Sequence, residues 1–144
     1  MTNRGNEFRK AIVDYIKSWG EPIEIEEEKI VGYRFVNTPR KVGIVLHYKG
    51  RYLGIEAKLQ ETGGTAYQKL SYTIEDCKSA PIPMIIVFAG EGIKQDMKAK
   101  LISTGIGIEV KFNGSEIEDP NCIFKQRVYI ELGLNWLRDD FCQD

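Results

Sequence analysis

Apolar positions along the chain recur with two different spacings, and the change from one to the other predicts its helices and strands. In EFRKAIVDYIKSW the apolar residues recur every three or four positions, which is typical of one helix face, and Gly20 ends the pattern. Runs rich in β-branched and aromatic residues follow: PIEIEEEKIVGYRFV, KVGIVLHY and RYLGIEAKL. Because only Lys49 and Gly50 separate the last two runs, the sequence predicts a strand meander that includes a tight hairpin.

Helix and strand patterns continue to alternate in the rest of the chain. The polar loop QETGGT precedes a second helix, whose apolar face is marked by Ala66, Leu70, Ile74 and Cys77, and PMIIVFA is typical of a strand covered on both faces. IKQDMKAKLIS then predicts a helix, IGIEVKF and CIFKQRVYI predict strands, and ELGLNWLRDDF predicts a closing helix. We therefore expect an α/β fold with an αβββαβ core, in which helices flank a mixed central sheet and residues 1–144 form a single domain.

Composition limits the class of protein. The chain has 144 residues, 42% of them hydrophobic, which is enough for the core of one domain. No run approaches the roughly eighteen apolar residues of a membrane span, and the start, MTNRGNEFRK, lacks the apolar stretch of a secretory signal. We expect a cytoplasmic protein without membrane contact. Cys77, Cys122 and Cys142 are widely spaced, which favours reduced thiols over a disulfide framework or a zinc site.

Charge is distributed unevenly along the chain. A formal net charge of −1 and a pI near 5.9 argue against a protein that coats nucleic acid by bulk charge. The segment 29–58, however, holds one acid, Glu56, and seven basic residues: Lys29, Arg34, Arg40, Lys41, Lys49, Arg51 and Lys58. This basic stripe predicts a surface that faces phosphate. Lysines that protect an exposed sheet edge from aggregation would give the same pattern.

The third predicted strand carries charge on one of its faces. Alternation places Glu56, Lys58 and Gln60 on one face, and the apolar residues between them on the other. A carboxylate and an ammonium one strand repeat apart can hold a divalent cation and stabilise charge that develops on a phosphate. A cross-strand ion pair on an exposed face would leave the same Glu-x-Lys triplet. A two-residue turn at 49–50 also sets position 43, a glycine, opposite Glu56.

A helix, a meander with Glu-x-Lys on its third strand, a helix and a strand together resemble the PD-(D/E)XK nuclease superfamily, and Glu56-Ala57-Lys58 resembles its signature. Gln60, the loop Gly63-Gly64-Thr65 and the segment Gln68-Lys69-Leu70 extend the resemblance to restriction and phage-type endonucleases, over about residues 5 to 92. The resemblance implies hydrolysis of DNA with Mg²⁺, or Mn²⁺ as a substitute. Because cleavage of duplex DNA usually requires two such sites, we expect a homodimer or higher homo-oligomer.

The resemblance also assigns roles to individual residues. Glu56 and the carbonyl of Ala57 would ligate the metal, and Lys58 would position or activate the water. Glu7 resembles the helical glutamate that many members direct at the same metal, although an acid in a first turn also suits the helix dipole. Gln68 resembles the glutamine of a Gln-x-x-x-Tyr element. The residues expected to contact DNA are Arg40, Lys41, Lys49, Arg51, Gln60, Thr65 and Lys69.

One position departs from the family pattern. The first-strand aspartate of the family falls at Gly43, which has no side chain to offer a metal. An introduced inactivating substitution, a natural loss of activity, or replacement by another acid such as Glu7 or Glu28 would each account for the glycine. Two main functions follow: a Mg²⁺-dependent endonuclease of restriction or phage type, or a catalytically inactive nuclease fold that binds nucleic acid or serves in assembly. A small α/β protein with a fortuitous Glu-x-Lys is a third.

Overall fold

The secondary structure follows the predicted order through the first two thirds of the chain. The computed structural model describes residues 4–33, 38–62 and 67–142. Its helices are α1 (Arg4–Lys17), α2 (Tyr67–Lys78), α3 (Gln95–Ser103) and α4 (Ile123–Leu132). Its strands are β1 (Glu24–Tyr33), β2 (Pro39–Tyr48), β3 (Arg51–Leu59), β4 (Met84–Ala89), β5 (Gly107–Glu109), β6 (Lys111–Phe112) and β7 (Ile117–Glu118). None of the helices in these ranges has the length and apolar character needed to cross a membrane.

Strands β1 to β5 form one mixed sheet, in chain order. β1, β2 and β3 are antiparallel neighbours, whereas β3, β4 and β5 run parallel, and β6 pairs with β7 in a separate ribbon. Parallel neighbours require crossover connections, which α2 and α3 provide. The predicted αβββαβ core with a mixed sheet is therefore confirmed.

The hairpin between β2 and β3 has the predicted turn. Lys49 and Gly50 both have positive φ, at 47° and 81°, as a two-residue turn of this kind requires. Tyr48 pairs with Arg51, and the ladder continues to the pair Ile44–Ile55, where it ends. The two strands part beyond this point, so the predicted pairing of position 43 with Glu56 does not form.

Both faces of the sheet are covered. Leu53 and Ile55 pack in a core that contains α1 and α4, as the predicted alternation of β3 requires. The opposite face packs against α2 and α3, and its core includes Leu70 and Ile74, as predicted for the second helix. All six residues of β4 are buried, which confirms a strand covered on both sides. Polar chemistry on β3 is thus confined to the end of the strand, beyond this double cover.

The C-terminal third differs from the prediction. CIFKQRVYI was expected to be a strand because it is rich in β-branched and aromatic residues, yet residues from Ile123 onward form α4. Phe124, Val128 and Leu132 are buried at helical spacing, and this packing outweighs local propensity. Gly133, at φ 77°, then ends the helix. The predicted closing helix is also wrong, because residues 134–142 form turns and irregular structure.

Two of the three cysteines form a disulfide, contrary to the prediction of reduced thiols. Cys122 and Cys142 are bonded across a sequence separation of 20 residues. The bond forms because the tail returns along α4, where Phe141 packs on Tyr129 and its carbonyl accepts a hydrogen bond from Lys125 Nζ at 2.8 Å. Sequence spacing alone carries no sign of that return. Cys77 is a buried free thiol, as predicted, and burial raises its pKa to about 12.

Candidate active site

A cleft opens where β2 and β3 part. Its volume is about 360 Å³, and it lies between the first turns of α1 and the adjoining parts of β1, β2 and β3. The residues that line it are Gly5, Asn6, Arg9, Glu28, Lys41, Gly43, Glu56 and Ala57. The cleft therefore brings together Gly43, Glu56 and Ala57, which the sequence placed at one site, with residues of α1 and β1.

The β3 side of the cleft carries the Glu-x-Lys pair. Lys58 Nζ lies 3.6 Å from Glu56 Oε1, and both side chains are partly exposed. Gln60, just after the strand, is fixed by two backbone hydrogen bonds, Gln60 N to Ala89 O at 3.0 Å and Gly92 N to Gln60 O at 2.8 Å. These bonds hold the end of β3 against the chain that leaves β4.

Close backbone contact explains the glycines in the segment AGEG. A Cβ atom on Gly90 would lie 2.1 Å from the carbonyl oxygen of Gln60, and one on Gly92 would lie 2.3 Å from that of Thr62. No real Cβ tolerates such distances, so both positions require glycine. The position of Glu56 and Lys58 thus depends on two glycines that contribute no chemistry.

Gly43, by contrast, is not required by the backbone. A Cβ atom here would meet Arg9 Cδ at 3.5 Å and the Ile55 carbonyl at 3.9 Å, which are ordinary van der Waals distances. Its φ lies outside the left-handed region. The β2 position therefore has room for a side chain, and the missing carboxylate does not follow from a constraint of the fold.

A carboxylate from the neighbouring strand enters the same cleft. Glu27 pairs with Ile44 and Lys29 pairs with Val42, so Glu28 lies level with Gly43. Glu28 has a φ of 54°, which is uncommon for a residue other than glycine and interrupts the alternation of β1. Its side chain lines the cleft beside the vacant position. Of the two acids weighed as replacements for the aspartate, Glu28 is the one that lines the cleft.

Cations surround the Glu28 carboxylate. Arg9 Nη1 donates a hydrogen bond to Oε1 at 3.2 Å, and Lys41 Nζ lies 3.8 Å from Oε2. The sequence prediction did not include Arg9, because nothing in the spacing of α1 distinguishes it from the solvent-facing residues around it. Lys41, which was predicted to contact DNA, lies in the cleft itself.

The donor set of the cleft suits a hard divalent cation. Glu28 and Glu56, which line the cleft, have carboxylate side chains, and Ala57 lines it next to Glu56. Mg²⁺ is commonly bound by one or two carboxylates while it keeps several waters, so these residues fit it. Within the ranges that the structure describes, no group of three or more acidic, histidine or cysteine side chains is poised to hold a metal ion. The set is therefore sparse, and backbone and water would complete it.

Glu7, the predicted helical ligand, is directed elsewhere. Its carboxylate accepts a hydrogen bond from Arg4 at 3.1 Å, and Arg4 also binds Glu61, just past β3, at 2.9 and 3.0 Å. The hydrogen bond from Arg4 lowers the pKa of the Glu61 carboxyl. Glu7 is not among the described residues that line the cleft, where Asn6 stands instead. In this arrangement Glu7 belongs to an ion-pair network that ties α1 to the end of β3.

Arg40 was expected to contact DNA, but the structure gives it a buried structural role. Only 4% of the residue is exposed. Its Nε and Nη2 donate to Asp76 Oδ1 of α2 at 3.2 and 3.1 Å, and Nη2 also donates to Ser79 Oγ at 3.3 Å. A guanidinium so enclosed has no free face for a phosphate. Arg40 instead fastens β2 to α2 beside the cleft.

The remaining predicted DNA-contacting residues are dispersed. Lys49 and Arg51 lie at the hairpin turn, five strand residues and thus roughly 16 Å from Glu56. The side chain of Gln60 donates to the carbonyl of Thr62, and Lys69 is exposed in the first turn of α2. Thr65 lies outside the described residues, as does the side chain of Gln68, whose backbone belongs to α2. The basic segment is therefore not one continuous surface.

A sequence profile of the PD-(D/E)XK nuclease superfamily domain matches residues 4–115, which include the whole cleft. The chain belongs to the PD-(D/E)XK nuclease superfamily. This match confirms the resemblance noted from Glu56-Ala57-Lys58 and from the order of the elements. No curated protein sequence shows a significant match.

The fold is also similar to that of solved structures. The chain is similar to a protein of unknown function, AF1548, with a TM-score of 0.53 and 14% identity, over 88% of this chain and 67% of that one. It is also similar to an fdxN element excision controlling factor protein from Anabaena variabilis, with a TM-score of 0.49 and 12% identity, over 74% of this chain and 90% of that one. At this identity the first likeness concerns the fold alone.

Proposed function

We propose that this superfamily member is a Mg²⁺-dependent endonuclease that hydrolyses phosphodiester bonds of DNA, with Glu28 in place of the first-strand aspartate. One observation carries the proposal: Glu28 enters the cleft level with Gly43 and shares that cleft with Glu56 and Ala57. The glycine is then not a sign of lost activity. The carboxylate has moved from β2 to β1 while the site as a whole is kept.

The residues in and beside the cleft would have different roles in the reaction. Glu28, Glu56 and the Ala57 carbonyl would hold Mg²⁺ or Mn²⁺, and the ion, when bound, would polarise the phosphodiester and acidify a bound water. Lys58, whose Nζ lies 3.6 Å from Glu56, would supply a positive charge to the negative charge that develops on the attacked phosphate. Arg9 and Lys41, on the opposite wall, add donors suited to phosphate oxygens.

The test of the role of Glu28 removes the carboxylate from position 28 and then places one at position 43. Glu28→Gln removes the charge with little change of shape, and we expect plasmid nicking in Mg²⁺ to fall by at least about 100-fold, since even indirect support of a metal site is commonly worth 10- to 100-fold. Adding Gly43→Asp to Glu28→Gln should restore a large part of the activity, because a Cβ at position 43 meets no atom closer than 3.5 Å.

Matched variants separate a metal ligand from a nearby charge. Glu26→Gln changes an acid of the same strand that binds Lys29 rather than the cleft, and should leave nicking unchanged. Gly43→Asn in the Glu28→Gln background adds the same bulk without the charge and should not rescue. Normal nicking by Glu28→Gln, or equal rescue by asparagine and aspartate, would show that Glu28 does not replace the aspartate.

The second candidate is a nuclease fold that binds nucleic acid without cutting it. It is favoured by the two cations, Arg9 and Lys41, that lie against the two oxygens of Glu28. This candidate predicts no Mg²⁺-dependent nicking in the plasmid assay, either by the wild type or by the Gly43→Asp variant. It also predicts that the protein binds duplex DNA with an affinity that falls with salt.

We propose a homodimer or a higher homo-oligomer as the cutting species, because cleavage of duplex DNA usually requires two such sites. Sedimentation of the protein with and without a duplex would measure this. A monomer that still makes double-strand breaks with first-order dependence on protein concentration would contradict it.

A further inference from the structure

Arg9 reaches the cleft from α1 and takes the space beside Gly43. Its Cδ lies 3.5 Å from the position of a Cβ on Gly43, and its Nη1 holds Glu28 Oε1 at 3.2 Å. An aspartate at position 43 would therefore stand against Arg9. Arg9 thus contacts both the vacant position at Gly43 and Glu28.

The hydrogen bonding of Arg9 is incomplete. Its Nε is buried and has no hydrogen-bond partner, because the nearest acid oxygen, Glu27 Oε1, is 3.6 Å away. A buried donor without a partner carries a desolvation cost that a new acceptor would relieve. Among the described residues, the guanidinium of Arg9 donates a hydrogen bond to Glu28, whereas its buried Nε has no acceptor.

The partners of Arg9 differ from those of a structural arginine. Arg40 is buried against Asp76, whose side chain is only 11% exposed. The acids near Arg9, Glu27 and Glu28, have side chains 49% and 51% exposed. Partly exposed ion pairs contribute little to stability, so the contact between Arg9 and Glu28 can be exchanged at small cost.

Two kinds of ligand would weaken the contact between Arg9 and Glu28, by different means. A divalent cation at Glu28 stands close to the guanidinium of Arg9, and like charges repel. A DNA phosphate in the same cleft attracts the guanidinium and accepts its hydrogen bonds, for which the planar fork of arginine is well suited. A phosphate that draws Arg9 away from Glu28 therefore frees the carboxylate for the cation.

We propose that Arg9 couples metal binding to DNA binding by exchanging Glu28 for a substrate phosphate. Arg9 is then a positioning residue: it neutralises Glu28 in the free protein and binds the phosphodiester when the cation takes Glu28. This inference rests on the proposed function, because it requires Glu28 to be a metal ligand. It predicts that DNA raises the affinity for the cation, and that by reciprocity the cation raises the affinity for DNA.

The experiment measures Mn²⁺ affinity, by electron paramagnetic resonance of the free ion, with and without a short DNA duplex. All proteins carry Lys58→Ala, so that the duplex stays intact. The ratio of the two affinities is the coupling factor, for which we expect at least about fivefold, the lower end of usual couplings, when Arg9 is present. With Arg9→Gln, Mn²⁺ should bind roughly two- to fivefold more tightly without DNA, the range that a partly exposed ion pair contributes, and the coupling factor should fall towards one.

Two further variants support the interpretation. Lys10→Gln alters the adjacent cation of α1, which pairs with Asp14, and should leave both affinities at their reference values. Arg9→Lys keeps the charge but loses the planar fork, and should give an intermediate coupling factor. Arg9→Lys is also a mild change. If thermal melting shows that Arg9→Gln folds poorly, Arg9→Lys still provides the test.

The outcomes separate this inference from the proposed function. The coupling would be overturned if Arg9→Gln left the coupling factor unchanged, or if Arg9→Gln bound Mn²⁺ more weakly without DNA. The proposed site would still stand in either case, provided that Glu28→Gln weakens Mn²⁺ binding. If neither Glu28→Gln nor Glu56→Gln changed the affinity for Mn²⁺, the proposed metal site would be wrong, and the proposed coupling would be wrong with it.

Discussion

Replacement of Arg40 by alanine should destabilise the fold strongly, rather than weaken a contact with DNA. Arg40 is 4% exposed, and the side chain of Asp76 is 11% exposed. Arg40→Ala takes from the buried Asp76 carboxylate the two hydrogen bonds that the guanidinium donates, and also removes the bond to Ser79. Breaking a buried pair on one side typically costs about 3–5 kcal/mol. This is a large part of the roughly 5–15 kcal/mol that stabilises a domain, so we expect the melting temperature to fall by about 10 °C or more.

The pair can also be removed as a whole. Arg40→Met combined with Asp76→Leu takes out both charges and keeps the volume filled, so it should recover most of the loss. Lys41→Ala serves as the control, because this exposed neighbour lies 3.8 Å from Glu28 and should change the free energy of unfolding by no more than about 0.5 kcal/mol. Urea unfolding followed by circular dichroism measures all three variants. An Arg40→Ala protein of wild-type stability that has lost DNA affinity would refute the structural role.

Other substitutions test separate parts of the structure. Gly43→Ala should raise the free energy of unfolding by about 0.4–1 kcal/mol, because the new methyl meets only ordinary contacts. Gly54→Ala should lower the free energy of unfolding by about 1–3 kcal/mol, because the new Cβ would lie 2.1 Å from Met84 Sδ. If urea unfolding showed Gly54→Ala to be more stable than Gly43→Ala, the packing of β2 and β3 would be described wrongly. Cys142→Ser should lower the free energy of unfolding by about 3 kcal/mol, as expected for the loss of a disulfide that closes a loop of 20 residues. Equal melting temperatures of the wild type and Cys142→Ser, both with and without reductant, would contradict this. Lys58→Ala should abolish plasmid nicking and shift the melting temperature by only a few degrees, whereas unfolding would assign Lys58 a structural role.

Local pattern was sufficient where packing and local preference agree. The turn at Lys49 and Gly50 needs two positive φ angles, and the sequence around it alternates cleanly, so the hairpin and its first pairs were predictable. The continuous apolar run of β4 could only be a strand with both faces covered. Glu56 and Lys58 follow from the same alternation on β3, and the family profile matches the part of the chain that contains them.

Long-range packing decided what the pattern did not show. β1 begins with EIEEEK, in which nothing distinguishes Glu28 from its neighbours until its backbone turns to a φ of 54°. Arg40 looks like any basic residue of its segment, and only the approach of α2 buries it against Asp76. In α4, helical packing of Phe124 and Val128 overrides strand-like composition. From the sequence, replacement of the aspartate by Glu28 was therefore one alternative among several, and we propose it because of where the fold brings Glu28.

The central claim is that Glu28 and Glu56 share one divalent cation above Gly43, and the anomalous scattering of Mn²⁺ in a crystal of the wild-type protein tests it most directly. We expect one anomalous peak in the cleft, roughly 2.1 Å from a carboxylate oxygen of Glu28, an oxygen of Glu56 and the Ala57 carbonyl, with Arg9 turned away from Glu28. A peak bound by Glu56 and Glu7 with Glu28 still paired to Arg9, or a cleft that stays empty in crystals soaked at saturating Mn²⁺, would contradict the claim.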